Sequence, residues 1–330
     1  MTQSRDTLIS LSDTPYYHCI SRCVRRAFLC GEDKYTGQSF EHRRQWMVDR
    51  VRYLTGVFSI EVCAYAIMSN HYHLVLFVNE AELVTCSDNE ICERWAKIYS
   101  IPPIVSRWQK GELNSDIQEE LALSVIAELR ERLSSISWFM RSLNEFIARK
   151  ANKEDKCKGR FWEGRFKSQA LLDEKALLTC MAYVDLNPIR AKMASSVEES
   201  EYTSIFERVH NKSNHAENEG ELKRQPLVKF IGAEHEEQPQ GINFTLIDYL
   251  ELVDWSGRII REDKRGAIST QTPALLHTLG LDHETWLSLA SDFGKTYHGA
   301  VGSLEELALF AEHTGKQWIS GKNRLKQIYH

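Results

Sequence analysis

Two histidines one residue apart, His71 and His73 in "MSNHYHLVLFV", stand at the head of an apolar run. In an extended strand successive side chains alternate faces, so both imidazoles point the same way with Cα atoms roughly 6–7 Å apart. That spacing lets both reach one metal ion or one phosphate. It is also the pattern of two histidines satisfied on a half-exposed sheet face, so the pair gains meaning only beside a third ligand and a nucleophile. "YVDLN" offers both: Tyr183 and Asn187 are four residues apart, which on a helix stacks them on one face about 5.4 Å apart. Taken alone, Tyr183 reads as a boundary aromatic and Asn187, before Pro188, as a helix-end residue.

Together these residues suggest phosphoryl transfer by a tyrosine. A phenol with a pKa of about 10 attacks a phosphodiester poorly unless the phosphate is polarised and the phenolate stabilised. A divalent ion held by two imidazoles and an amide or carboxylate supplies that polarisation without ATP. Imidazole ligands favour manganese, cobalt or zinc, while cellular availability favours magnesium, so the expected cofactor is a divalent ion, magnesium or manganese.

The elements that must position these groups follow from the patterning. "TPYYHCISRCV" reads as a first strand, rich in aromatic and β-branched residues. Ser39 to about Leu54 reads as a helix with Ser39 as its cap and a stripe of Phe40, Trp46, Met47, Val51 and Leu54. "FSIEVCAYAIM" and "HYHLVLFV" read as two strands joined at Ser69 and Asn70. Strand, helix and hairpin form the first half of a ferredoxin-like arrangement. Residues 80–133 read as a helical insertion, followed by an amphipathic helix at "SSISWFMRSLNEFIARKANK", a fourth strand at "RFWEGRFKSQALL" and one long helix at "EKALLTCMAYVDLNPIRAKM". The expected fold class is α+β: a ferredoxin-like domain over 1–197, a mobile polar linker over 198–241 and a helical C-terminal appendage over 242–330.

The 330 residues are 42% hydrophobic, enough for a sizeable core. No run has the length of a membrane span and the first residues lack a signal-peptide layout, so a cytoplasmic, membrane-free protein is expected. The eight cysteines form no C-x-x-C pair and read as free thiols; Cys19, Cys23 and Cys30 fit no usual zinc knuckle. A net charge of −5 argues against indiscriminate coating of nucleic acid. Yet residues 149–167 hold eight cations against three acids. In this stretch Arg149, Lys158, Arg160, Arg165 and Lys167, with the ring of Trp162, are candidates for a phosphate-backbone track with a stacked base. The same pattern also describes a strand with rings in the core and cations in water.

"SNHYHLVL" together with "GRFWEGRFKSQALLDEKALLTCMAYVDLNPIRAKM" resembles the single-tyrosine HUH transposases, most closely their REP-associated tyrosine transposase branch. "PYYHCISRCVRR" and "YLELVDWSGRIIREDKRG" resemble longer members of that branch. The resemblance implies a ferredoxin-like catalytic domain acting on single-stranded DNA at short hairpins. It implies that His71 and His73 are the metal pair, with Tyr72 between them, and that Tyr183 is the nucleophile that becomes linked to a 5′ phosphate as a 3′ hydroxyl leaves. It implies Asn187 as the completing ligand, Asp185 being less favoured because it points to another helix face. Some relatives act as dimers, so a homodimer is among the expectations. Two other readings stand beside it: a DNA-binding regulator that no longer cuts, and an HUH replication initiator or relaxase. Histidines before a tyrosine on a later helix favour the transposase order.

Overall fold

The computed structural model describes residues 8–24, 29–33, 37–210, 227–232, 241–261, 274–296 and 299–316. β1 (Tyr16–Arg22) is followed by α1 (His42–Thr55), β2 (Ile60–Ile67) and β3 (His71–Val78). The insertion contributes α2 (Glu80–Thr85), α3 (Asp88–Ala96), α4 (Pro103–Gln109) and α5 (Asp116–Ser134), and α6 (Ile136–Glu154) leads to β4 (Lys167–Leu171). α7 (Glu174–Asp185), α8 (Asn187–Arg190) and α9 (Ser204–His210) come next. α10 (Leu246–Ile260), α11 (Ala274–Leu279), α12 (His283–Thr296), β5 (Ala300–Val301) and α13 (Leu304–His313) follow among the described residues.

The sheet runs β2-β3-β1-β4-β5, antiparallel except for the parallel β4–β5 pair. The first four strands thus have the ferredoxin-like order, and β1 lies between β3 and β4. Alternation along β3 separates its two faces. Tyr72 faces α6, its hydroxyl donating to Asn144 Oδ1 at 2.7 Å, and its ring meets Trp162 edge-on. His71 and His73 face the opposite layer, where α7 packs on β2, β3 and β4 and α12 packs on α7. The result is an α+β protein of three layers, with helices on both faces of the sheet.

Local chemistry explains most boundaries. Asp173 caps α7 by accepting from the Ala176 amide at 2.6 Å, and its second oxygen accepts from Ser303 N at 2.9 Å, binding the C-terminal segment to the start of the helix that carries Tyr183. Ser87 and Glu90 form a reciprocal capping box on α3, as do Ser303 and Glu306 on α13. In the insertion Arg130 of α5 donates to the Cys86 carbonyl at 2.8 Å and to Asp88 at 2.7 Å, closing α5 on α2 and α3.

Several expectations are corrected. Ser39 does not cap α1, whose N-cap is Glu41 without a side-chain bond; Ser39 Oγ instead accepts from the Glu41 amide at 3.4 Å. The fourth strand is shorter than "RFWEGRFKSQALL", reduced to Lys167–Leu171 plus an isolated bridge between Cys23 and Trp162. The long helix breaks at Leu186, because Pro188 has no N–H for the Val184 carbonyl. The described part of the expected linker is docked rather than mobile: Thr203 bridges Ala66, Ser204 Oγ accepts from Tyr65 N at 2.9 Å, and Leu227 bridges Val62. The rest of that segment, 211–226 and 233–240, lies outside the described residues, as does most of "REDKRG". Among the described residues no helix is long and apolar enough to cross a membrane.

Candidate active site

The fold brings the two sequence motifs together. β3 presents His71 and His73 with ring centroids 4.9 Å apart. α7 lays the Tyr183 ring edge-on to His73 at 5.6 Å. Asn187 is buried at the start of α8, its amide nitrogen without a hydrogen-bond partner. Asp185 points elsewhere and is fully buried. It accepts from Ser204 Oγ at 2.5 Å, Ile205 N at 3.0 Å and Tyr249 Oη at 2.7 Å, fastening α9 and α10 to α7.

A third imidazole, which no sequence motif singled out, completes the cluster. His18 lies in the middle of β1, directly opposite Gln169 of β4, while β1 also pairs with β3. Its Nε2 is 2.9 Å from His73 Nδ1 and its Nδ1 is 3.0 Å from Gln169 Oε1. Its two ring nitrogens are thereby engaged, which makes His18 a neighbour of the histidine pair rather than a third ligand. His71 Nδ1 is bonded to the Asn70 side-chain oxygen at 2.7 Å. Burial pushes His18 and His71 down to about 4, and Arg190 adds repulsion to both. His73 is held well below the ordinary imidazole range, by burial first and then by the neighbouring His18, His71 and Arg190. All three are therefore neutral at pH 7, the form that donates a lone pair to a metal.

The donor set can be tested against a divalent ion. His73 Nε2 is buried with no hydrogen-bond partner, an arrangement native interiors seldom leave without a ligand or a water. Among the described residues no three His, Cys, Asp or Glu side chains are grouped to hold a metal. The histidine pair on β3 offers two imidazoles, and Asn187 stands at the start of α8, just past the end of the helix that carries Tyr183. On the unpartnered Nε2 the residues fit the ion. Cys19, Cys23 and Cys30 are buried, in no disulfide, and form no such cluster.

Further groups surround Tyr183, among them the His18 ring, edge-on at 6.1 Å. The Arg190 guanidinium lies 3.9 Å from its ring centroid and donates to the Tyr183 carbonyl at 3.1 Å and to the Ser291 carbonyl on α12. Phe293 of α12 lies 5.8 Å from the Tyr183 ring, and a Cβ built on Gly294 would stand 2.5 Å from the Tyr183 hydroxyl. The expected appendage therefore forms one wall of the site. No local signal in the sequence could have announced this, since more than a hundred residues separate α12 from Tyr183.

The DNA-contact candidates divide. Arg149, Lys158, Arg160, Arg165 and Lys167 are exposed. Trp162 is a correction: it is 8% exposed, its indole N–H donates to the Asn144 carbonyl at 2.9 Å, and the ring is not available for stacking on a base. Phe161 and Phe166 are buried with it.

No family model matches the chain, and no curated protein compared with it matches. At 13% identity and a TM-score of 0.37, over 64% of this chain and 87% of the other, it is similar to a solved structure of a REP-associated tyrosine transposase bound to a REP hairpin, a likeness too distant to assign the role of any residue.

Proposed function

We propose that this chain is a metal-dependent single-stranded DNA endonuclease and strand transferase that works through Tyr183 on hairpin-forming DNA. The observation that carries the reading is the Tyr183 ring standing 5.6 Å from that of His73, whose Nε2 is buried without a partner. His71 and His73, with Asn187, would hold the divalent ion, which when bound supplies Lewis-acid polarisation of the scissile phosphate.

The remaining chemistry belongs to the protein's own groups. Tyr183 Oη attacks the phosphorus, an ester forms between the phenol and the 5′ phosphate, and the 3′ hydroxyl leaves with a proton. Attack by a 3′ hydroxyl on that ester reverses the step, rejoins DNA and returns the phenol. The phosphodiester energy is conserved in the ester, so no nucleotide cofactor is consumed. Arg190, with its guanidinium 3.9 Å from the ring centroid, offers positive charge to the developing phenolate. The exposed Arg149, Lys158, Arg160, Arg165 and Lys167 would track the DNA backbone.

The test is a labelled single-stranded hairpin oligonucleotide incubated with the protein and manganese. The expected result is a covalent adduct that survives denaturing electrophoresis, maps to the peptide containing Tyr183 and is missing in Tyr183→Phe. Hairpin binding without an adduct across metals and pH would support the non-cleaving regulator instead.

A further inference from the structure

Gln169 and His18 stand in line behind His73, on three adjacent strands. Gln169 Oε1 can only accept, so the 3.0 Å bond to His18 Nδ1 requires the proton on that nitrogen. A neutral imidazole carries one N–H. His18 Nε2 is then an acceptor, and the 2.9 Å bond to His73 Nδ1 requires the proton on His73 Nδ1. The lone pair of His73 is thereby left on Nε2, the atom that is buried without a partner. His71 reaches the same tautomer by a shorter route, its Nδ1 donating to Asn70 Oδ1 at 2.7 Å. Two unrelated devices, one local and one built across three strands, leave both imidazoles with bare Nε2 atoms.

We infer that His18 and Gln169 form a tautomer relay that holds the Nδ1 proton on His73 and keeps its Nε2 lone pair free for a divalent ion, making both of them positioning residues. A core histidine that merely satisfied its neighbours would leave no reason for the unpartnered Nε2 at the end of the line. The relay also accounts for a buried imidazole on β1 that contacts neither solvent nor, in the proposed mechanism, DNA. The inference rests on the proposed role of His73 as a ligand, and its test separates the two.

The tautomers are read from long-range proton–nitrogen correlation spectra of the metal-free, nitrogen-15-labelled full chain. The wild type is expected to show His18, His71 and His73 as Nδ1–H tautomers. Gln169→Leu and His18→Leu are expected to release His73 into a mixture. Gln169→Glu and His18→Gln, which keep an acceptor in place, are expected to retain the wild-type pattern. Manganese binding by calorimetry should weaken about 10–100-fold in the two leucine variants and stay near wild type in the two conservative ones.

An Nε2–H tautomer on wild-type His73 overturns the relay. So does a His73 pattern unchanged by His18→Leu, or a changed pattern with unchanged manganese affinity. If His18→Leu fails to fold, the Gln169 pair decides by the same criteria. Absence of manganese binding in the wild type would overturn the ligand role of His73, while the spectra of the metal-free protein would still decide the proton positions.

Discussion

At the scale of single residues, Asp185 is a buried carboxyl two residues from the Tyr183 phenol with structural partners of its own. Burial pushes its pKa up from the ordinary 3.8 to about 6, against the pull of bonds from Ser204, Tyr249 and Ile205. A carboxyl whose folded pKa is raised contributes stability that is fully present below the unfolded value of 3.8 and is lost as pH rises through about 6. Above that, the folded chain carries a buried charge at a cost of order 3 kcal/mol, each tenfold change in the ionisation equilibrium being worth about 1.4 kcal/mol. Asp185→Asn keeps an acceptor for Ser204 and Ile205 and removes the charge. It is expected to raise the urea midpoint at pH 8 and to have little effect at pH 4.5. Asp185→Ala leaves the hydroxyls of Tyr249 and Ser204 and the Ile205 amide unpaired, and is expected to destabilise by about 3 kcal/mol or more at both pH values. Equal midpoints for wild type and Asp185→Asn at pH 8 would show that the carboxylate is not strained there. The sequence is enough to set Asp185 aside as a ligand, because residues 183, 185 and 187 cannot share a helix face. Its three donors are invisible there, since they arrive from α9 and α10.

At the scale of elements, "RFWEGRFK" resolves an ambiguity that alternation alone could not. The rings of Phe161, Trp162 and Phe166 go inward, and Arg160, Arg165 and Lys167 go outward. Removing cations should therefore change affinity for DNA, and removing Trp162 should change stability. Arg165→Ala with Lys167→Ala is expected to weaken hairpin binding and flatten the slope of log affinity against log salt by about 0.7 for each phosphate no longer neutralised. A salt titration with an unchanged slope would take both residues off the backbone track. The paired strands and the helix bearing Tyr183 were legible because alternation, a tight turn and helical patterning are local signals. His18 and Gln169 were not. Each looks ordinary on its own strand, and they meet His73 only because β1 lies between β3 and β4, a pairing order that no stretch of β1 encodes. The break at Leu186 was half legible: Pro188 was visible, but that Arg190 would use the break to donate to the Tyr183 carbonyl was not.

At the scale of the whole molecule, two buried imidazoles, His18 and His73, and the half-buried His71 make the metal-free fold sensitive to acid. His18 and His71 are pushed down to about 4 and His73 is held well below the ordinary range, whereas the unfolded chain takes up these protons near 6.5. Stability is therefore complete above about 6.5 and is lost as pH falls toward 4, with the single proton of Asp185 opposing the trend. The metal-free protein is expected to lose melting temperature steadily from pH 6.5 to 4.5. Manganese should raise the melting temperature at pH 7.5 and still do so at pH 5, ceasing only as pH falls through about 4, where protons compete for the same lone pairs. A melting temperature indifferent to chelator at pH 7.5 would remove the metal from the fold's stability. The same molecule-wide view changes the meaning of the tail. Arg190 donates to the Ser291 carbonyl and Phe293 meets the Tyr183 ring, so α12 is held against the helix that carries Tyr183, so closely that position 294 has no room for a side chain. Gly294 is thus the mould of the phenol: the absence of a side chain there is what lets the Tyr183 hydroxyl lie against α12.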